Sequence, residues 1–221
     1  MHYLTNLWNA LDLGSLGSIL LRLCAVFLCL TIHETCHGLA AYALGDPTAK
    51  RAHRLSLNPL RHIDWLGLIM MVVAGFGWAK PVPVDPRYFK KPKQGMAITA
   101  LAGPVSNFLL ALVLLLIARG VYLRALVTGQ LSETWFSFLL NTASLSVGLG
   151  LFNLVPIPPL DGSKVLAVLL PDRAYSWLMR YERFGMLLLL AVISVGIGSN
   201  ALDSAIRWTF TLLCRLVGFE V

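Results

Sequence analysis

The chain has 221 residues, of which 57% are hydrophobic and only 13% are charged, and its mean hydropathy is +0.72. Soluble domains carry about 25% charged residues, so this composition predicts a polytopic membrane protein and leaves no room for a separate soluble domain. The net charge of +7 is compatible with nucleic-acid binding. The basic residues cluster in loops beside apolar segments, however, so membrane orientation is the simpler explanation and nucleic acid is not expected as a partner.

The apolar segments predict an all-α membrane fold with five or six transmembrane helices. Residues 1–15 are mixed in character and are expected to lie at the membrane interface before the first helix. That helix is expected over about 16–44, because the segment is almost continuously apolar. Gly45-Asp46-Pro47 ends it, first by backbone flexibility and then by the missing amide donor of proline.

Inside this first helix lies the sequence H-E-x-x-H, formed by His33, Glu34 and His37 with two residues between them. Residues four apart project from nearly the same face of a helix, so both imidazoles can bind one zinc ion. Glu34 lies next to that face and can act as a general base on a metal-activated water. The usual alternative, two solvated histidines on a surface helix, does not suit an apolar helix, where ionisable groups are costly and indicate function.

A basic stretch over 50–64 follows, in which residues 54–57 alternate like a short β-strand. The next apolar segment, 65–79, is shorter than the roughly 20 residues of a membrane span and has basic loops on both sides. These features favour a re-entrant segment that enters and leaves on the cytoplasmic side, with a short tilted span as the alternative. Residues 79–86 contain alternate prolines and are expected to form an extended edge with free carbonyls.

Helices are next expected over about 94–123 and 134–154. Asn107 is a polar group in hydrocarbon, where it either forms an interhelical hydrogen bond or contributes to substrate binding. Prolines then break the chain over 153–162 and place Asp161 at membrane depth. Asp161 and Glu34 are the two rare acids of the apolar layer, which suggests that they meet. The alternative role of Asp161 is to cap the helix that starts near Ser163, and the two roles can coexist.

The end of the chain combines a polar amphipathic stretch, 171–183, with a hairpin of two apolar segments, 184–198 and 201–217, turning at Ser199-Asn200. Counting the spans places the N-terminus outside the cell membrane and the C-terminus in the cytoplasm. His33 then lies nearer the cytoplasmic side. The whole chain, 1–221, is expected to be one integral-membrane domain, with a core over about 16–170 and a C-terminal hairpin over about 184–218.

The chain resembles the site-2 protease family of intramembrane zinc metalloproteases over roughly residues 30 to 165. No single motif is decisive, but their order and spacing together are specific. They are His33-Glu34-Thr35-Cys36-His37, Gly45-Asp46-Pro47-Thr48-Ala49-Lys50, Leu55-Ser56-Leu57-Asn58-Pro59-Leu60, His62-Ile63-Asp64, Gly77-Trp78-Ala79-Lys80-Pro81-Val82-Pro83-Val84, Gly103-Pro104-Val105-Ser106-Asn107 and Asn153-Leu154-Val155-Pro156-Ile157-Pro158-Pro159-Leu160-Asp161-Gly162.

This resemblance implies one zinc ion per chain, bound by His33, His37 and Asp161, with Glu34 as the catalytic base. It implies cleavage of peptide bonds within or next to transmembrane segments of membrane-anchored substrates. Such substrates include membrane-anchored transcription regulators and remnant signal peptides. The chain is similar to compact prokaryotic members of the family, since no loop is long enough for a PDZ or nucleotide-sensing domain.

The resemblance also implies that Asn153 helps to hold the substrate backbone or the oxyanion, and Asn107 is a second candidate for this role. Two positions depart from the family pattern: His53 replaces a usual glycine, and Trp65 stands where proline is common. The alternatives to a protease are a non-catalytic membrane zinc protein, such as a transporter or sensor, and an inactive scaffold. A transporter is expected to show internal repeats, and a scaffold to lack a ligand or the base; neither feature is present.

Overall fold

The computed structural model describes residues 16–67, 79–196 and 198–219. This part of the chain is mostly helical and contains no β-strand; one isolated antiparallel bridge joins Ile63 to Ala79. Short 3-10 turns cover Pro59–Arg61 and Pro86–Tyr88. The α-helices are α1 (Leu16–Ala43), α2 (Thr48–Arg51), α3 (Pro92–Thr128), α4 (Glu133–Asn153), α5 (Asp161–Ala167), α6 (Asp172–Val195) and α7 (Ser199–Leu216).

Three of these helices are long and apolar enough to cross a membrane, and they confirm the predicted membrane character. They are Gly17–Ala43 within α1, all of α3, and all of α4. Helix α3 has 37 residues, which corresponds to about 55 Å and exceeds the roughly 30 Å hydrocarbon layer. Pro104 lies inside it and removes one backbone donor.

Helix α1 ends where the sequence predicts. Gly45 adopts a φ of 103°, which favours glycine, and the amide of Asp46 bonds back to the carbonyl oxygen of Ala41 at 2.9 Å. The Asp46 side chain is fully buried: Oδ1 accepts from the Thr48 amide at 2.9 Å and Oδ2 accepts from the Asp85 amide at 2.7 Å. The end of α1 is therefore fixed to the distant 79–86 segment.

The strand predicted over 54–57 is wrong, because this stretch forms turn bonds such as that from the Ser56 amide to the Arg54 carbonyl. Residues 79–85 are non-helical, as their prolines predict, but the prediction of free carbonyls is wrong for Lys80 and Pro81, whose carbonyls accept from Arg54. The prediction of a re-entrant segment over 65–79 falls almost entirely on residues 68–78, which lie outside the described part of the chain.

The C-terminal region differs from the prediction in its helix bounds. The polar stretch 171–183 and the apolar stretch after it form one continuous helix, α6. Ser199 and Asn200 are the first residues of α7 rather than a turn, and Gly196 and Gly198, which precede them, adopt φ values of 73° and 78°. A polar and an apolar segment can share one helix because no proline lies at their junction, and the single Gly185 there is tolerated inside a helix.

The chain forms two compact units. One comprises residues up to 29, 107–153 and 190 onward, and its apolar core is built by α3, α4 and α7. Fully buried side chains of this core are Ala111, Leu115, Ala143, Val147 and Ile206. The other unit comprises 30–106 and 154–189 and contains the H-E-x-x-H sequence and Asp161.

The backbone of His53 adopts a conformation that favours glycine, the residue that the family resemblance implies at this position. His53 is the only described non-glycine residue with positive φ, at 54°, in the left-handed region that costs such residues about 1–2 kcal/mol. We expect His53→Gly to stabilise the protein by about 0.5–1 kcal/mol, because part of this gain is lost to the entropy of glycine in the unfolded chain. Thermal unfolding in detergent measures the change.

The neighbouring Ala52 provides the matched control for this substitution. Ala52 is exposed and has an ordinary φ of −78°, so Ala52→Gly has no strain to relieve and should lower the stability. Equal shifts in the two variants would contradict the assignment of strain to His53.

Candidate active site

The predicted metal ligands converge in the second unit. His33 Nε2 and His37 Nε2 lie 2.9 Å apart, and Asp161 Oδ2 lies 3.1 Å from the first and 3.2 Å from the second. All three residues are buried, with exposed fractions of 4%, 9% and 8%. A tetrahedral zinc ion with bonds of about 2.0–2.1 Å requires donors about 3.3–3.4 Å apart. The donor types fit zinc, and the observed separations of 2.9–3.2 Å lie within about 0.5 Å of this spacing.

His37 is oriented for metal binding by the backbone of α3. Its Nδ1 donates a hydrogen bond to the carbonyl oxygen of Thr99 at 2.7 Å. That bond fixes the tautomer, leaving the lone pair of Nε2 directed at the other two ligands. The sequence offers no signal for this contact, because the acceptor is a backbone carbonyl 62 positions away.

Gly103 brings the α3 backbone against both histidine rings. A Cβ atom at this position would lie 2.5 Å from Cε1 and Nε2 of His37 and 2.6 Å from Cε1 of His33. Any larger residue would therefore displace the ligand rings. Glycine in an apolar helix allows close packing, and the groups packed against Gly103 are the two imidazoles.

Asp161 is the first residue of α5, directly after the proline-rich break. The residue before it, Leu160, occupies the N-cap position, and no side chain caps this helix end. The alternative that Asp161 caps the helix is therefore wrong, since its carboxylate faces His33 and His37. Gly162 fits only as glycine: a Cβ there would lie 2.1 Å from the carbonyl oxygen of Leu154.

Glu34 is partly buried and is held by the 79–86 segment. Its Oε2 accepts a hydrogen bond from the Val82 amide at 2.9 Å. Val82 is flanked by Pro81 and Pro83, which have no amide hydrogen, so it is the only donor of these three residues. The sequence predicted an extended edge here, but not that its amide contacts the carboxylate of Glu34.

The two asparagines belong to the first unit. The side-chain amide of Asn153 donates to the carbonyl of Leu149 in its own helix at 2.9 Å. Asn107 is fully buried, and its backbone carbonyl accepts a hydrogen bond from Ser146 Oγ at 2.8 Å. Their suggested part in substrate or oxyanion binding stays a prediction.

Comparison with known proteins agrees with this chemistry. The model of peptidase family M50 matches residues 123–195, a range that includes Asp161. YwhC of Bacillus subtilis (strain 168) is 40% identical over 177 residues, which cover 78% of this chain and 79% of YwhC. Rip2 of Mycolicibacterium smegmatis is 28% identical over 222 residues, covering 96% of this chain and 80% of Rip2. No solved structure matches.

A third relative, RasP of Oceanobacillus iheyensis, is 38% identical over 76 residues, or 30% of this chain and 18% of RasP. The names of all three relatives contain the words zinc metalloprotease. The identity to YwhC extends over most of both chains, and the donor set of the second unit fits zinc. The chain therefore belongs to peptidase family M50, the site-2 protease family, and is an intramembrane zinc metalloprotease.

Proposed function

We propose that His33, His37 and Asp161 bind the catalytic zinc ion and that Glu34 is the general base. The observation that carries this assignment is the convergence of three buried ligand atoms within 3.2 Å of one another. Two of these atoms belong to His33 and His37, which lie with Glu34 in a helix long and apolar enough to span a membrane. Three protein ligands leave one coordination position open, as in catalytic zinc sites.

The bound zinc ion supplies Lewis-acid activation of water and of the scissile carbonyl. Glu34 removes the proton from the attacking water and later delivers it to the leaving amine. The hydrogen bond from the Val82 amide holds one oxygen of Glu34, so the other oxygen is available for proton transfer. Water must reach these groups, and we propose a polar channel that opens to the cytoplasm.

The substrate is a peptide bond within or next to a transmembrane segment of a membrane-anchored protein. A helical segment hides its carbonyls in its own hydrogen bonds and must unwind before attack. Residues 82–84 are the better edge for capturing the unwound chain by strand addition, because no hydrogen bond within the described chain occupies the Val84 amide. The other candidate edge, 55–57, is occupied: the Ser56 carbonyl accepts from Thr35 Oγ1 and His62 Nε2.

The topology that suits this function has five spans in the cell membrane, or inner membrane, with the N-terminus outside and the C-terminus in the cytoplasm. Beyond the three apolar helices of the structure, α6 and α7 then supply the remaining two spans. The active site lies nearer the cytoplasmic side, and residues 1–221 form a single catalytic domain. Membrane-anchored transcription regulators and remnant signal peptides are the substrate types proposed.

The test of this assignment is Glu34→Gln. We expect the variant to keep one zinc ion per chain and to lose about 10²–10⁴-fold in cleavage rate, since the amide cannot accept the proton. Zinc content and cleavage of a single-span test substrate by the purified protein measure the two effects. Wild-type activity in this variant would overturn the mechanism.

The matched control is Glu133→Gln, in the first turn of α4, where the side chain is exposed. It should retain both zinc and activity. To identify natural substrates, membrane fragments that accumulate in cells with Glu34→Gln are compared with those in wild-type cells. A fragment that accumulates only in the variant is a substrate of this enzyme.

A further inference from the structure

We propose that Arg54 is a positioning residue for the catalytic base: it fixes the backbone at residues 80–82, and the amide of Val82 in turn fixes Glu34. This inference rests on the proposed function, in which Glu34 accepts the proton of the attacking water. Arg54 lies 20 positions after Glu34, in the loop that follows α2, and it does not bind the metal.

The guanidinium group of Arg54 is buried, with 9% of the residue exposed. Its Nη1 donates to the carbonyl oxygen of Arg61, and its Nη2 donates to that of Lys80. Nη2 also lies 3.2 Å from the carbonyl oxygen of Pro81. One side chain thus binds three backbone carbonyls from two segments that are about 20 positions apart.

All the described partners of the Arg54 guanidinium group are backbone carbonyls, which indicates that Arg54 holds the backbone in place. Among the described residues, no carboxylate pairs with it, so a buried cation is kept without an opposite charge, an arrangement that costs free energy. Within the described residues 79–86, the isolated bridge at Ala79 is the only β-type pairing. The Arg54 donors therefore satisfy carbonyls that a neighbouring β-strand would otherwise bind. Only arginine offers several donors in a rigid fork for such carbonyls.

The residue after these carbonyls contacts the catalytic base. Val82 follows Lys80 and Pro81 directly, and its amide donates to Glu34 Oε2 at 2.9 Å. Val82 is buried, and its side chain packs at Gly38 of α1. The orientation of the Val82 amide depends on the peptide planes before it, which Arg54 holds through their carbonyls.

The far end of the same segment has its own anchor. The amide of Asp85 donates to the buried Asp46 at 2.7 Å. The segment is therefore fixed on both sides of Val82, by Arg54 at residues 80–81 and by Asp46 at residue 85. Removing the first anchor should leave Glu34 with more than one orientation while the zinc ligands stay in place.

The principal test compares Arg54→Met and Arg54→Lys with the wild type and with Glu34→Gln, in the full chain in detergent. We expect Arg54→Met to keep one zinc ion and a KM within about threefold of wild type, and to lose about 10–100-fold in kcat. Arg54→Lys should recover part of this loss, because an ammonium group can still bind one carbonyl. Wild-type kcat in Arg54→Met, or a rise in KM alone, would overturn the proposal.

A second pair of variants keeps the proposal testable if Arg54→Met does not fold. Val82→Pro removes the amide donor to Glu34, whereas Val82→Ala shortens the side chain and keeps that donor. We expect kcat to fall about 10–100-fold in the proline variant and to fall less in the alanine variant, which keeps the amide donor to Glu34. Equal kcat values for the two variants would overturn the proposal.

The Glu34→Gln variant shows whether a negative result contradicts the proposed mechanism or only the positioning role of Arg54. If that variant cleaves at the wild-type rate, Glu34 is not the base, and both the proposed mechanism and this inference fail. If it is inactive while Arg54→Met and Val82→Pro keep the wild-type kcat, the mechanism stands and the positioning role alone is wrong.

Discussion

A Gly103→Ala variant is expected to lose its zinc and to lose more than about 100-fold in proteolytic activity. The added Cβ would lie 2.5–2.6 Å from ring atoms of both His37 and His33, closer than atoms of this kind approach. The rings cannot move aside and still converge on one ion, since the Thr99 carbonyl holds His37 and the two histidines share one helix. Zinc content of the purified variant is the direct measurement.

Gly120 provides the matched control for this prediction. It lies in the same helix, α3, and a Cβ there would meet nothing within 4 Å. Gly120→Ala should therefore retain zinc and activity. If Gly103→Ala also retained one zinc ion and full activity, the described packing of α3 against the ligand rings would be wrong.

Asp161→Asn is expected to remove zinc while leaving the fold intact. The two side chains have nearly the same shape, so the substitution removes the charge and weakens the ligand without creating a cavity. We expect zinc affinity to fall by more than the 10–100-fold that loss of a partner outside the coordination sphere costs. Competition with a chelator measures the affinity, and thermal unfolding without metal tests the fold.

The control is Asp85→Asn, at an Asp whose carboxylate faces Arg87 rather than a histidine. Its Oδ1 caps the turn at Pro86–Tyr88, and asparagine retains that oxygen. The ion pair with Arg87 is exposed and worth little, so zinc affinity should not change. Equal zinc affinities of Asp161→Asn and the wild type would exclude Asp161 as a ligand.

The sequence predicts those features of the fold and site that depend on spacing along the chain. The i, i+4 rule predicts that His33 and His37 share a face, and α1, α3 and α4 lie within five residues of their expected bounds. The scarcity of acids in apolar segments predicts that Asp161 meets Glu34, and the family resemblance implies that it joins the two histidines. Nothing local to Asp161 specifies its distance of 3.1 Å from His33.

Contacts between distant backbone and side-chain atoms could not be predicted. Arg54 looks like one of many basic residues in a loop, and its carbonyl partners carry no residue-type signal. The same holds for the Thr99 carbonyl, which any residue would supply. The alternation at 54–57 predicted a strand, but the Arg54 side chain satisfies carbonyls that a neighbouring strand would otherwise have bound.

The distance along the chain between the proposed ligands has a consequence for the order of events in the cell. His33 and Asp161 are 128 positions apart, so the third ligand is synthesised well after the first two. With Asp161 as the third ligand, a nascent chain holds only two donors and has no complete metal site. Proteolytic activity then begins only when the proline-broken segment has docked, and an unfinished chain cannot cut its neighbours during biogenesis.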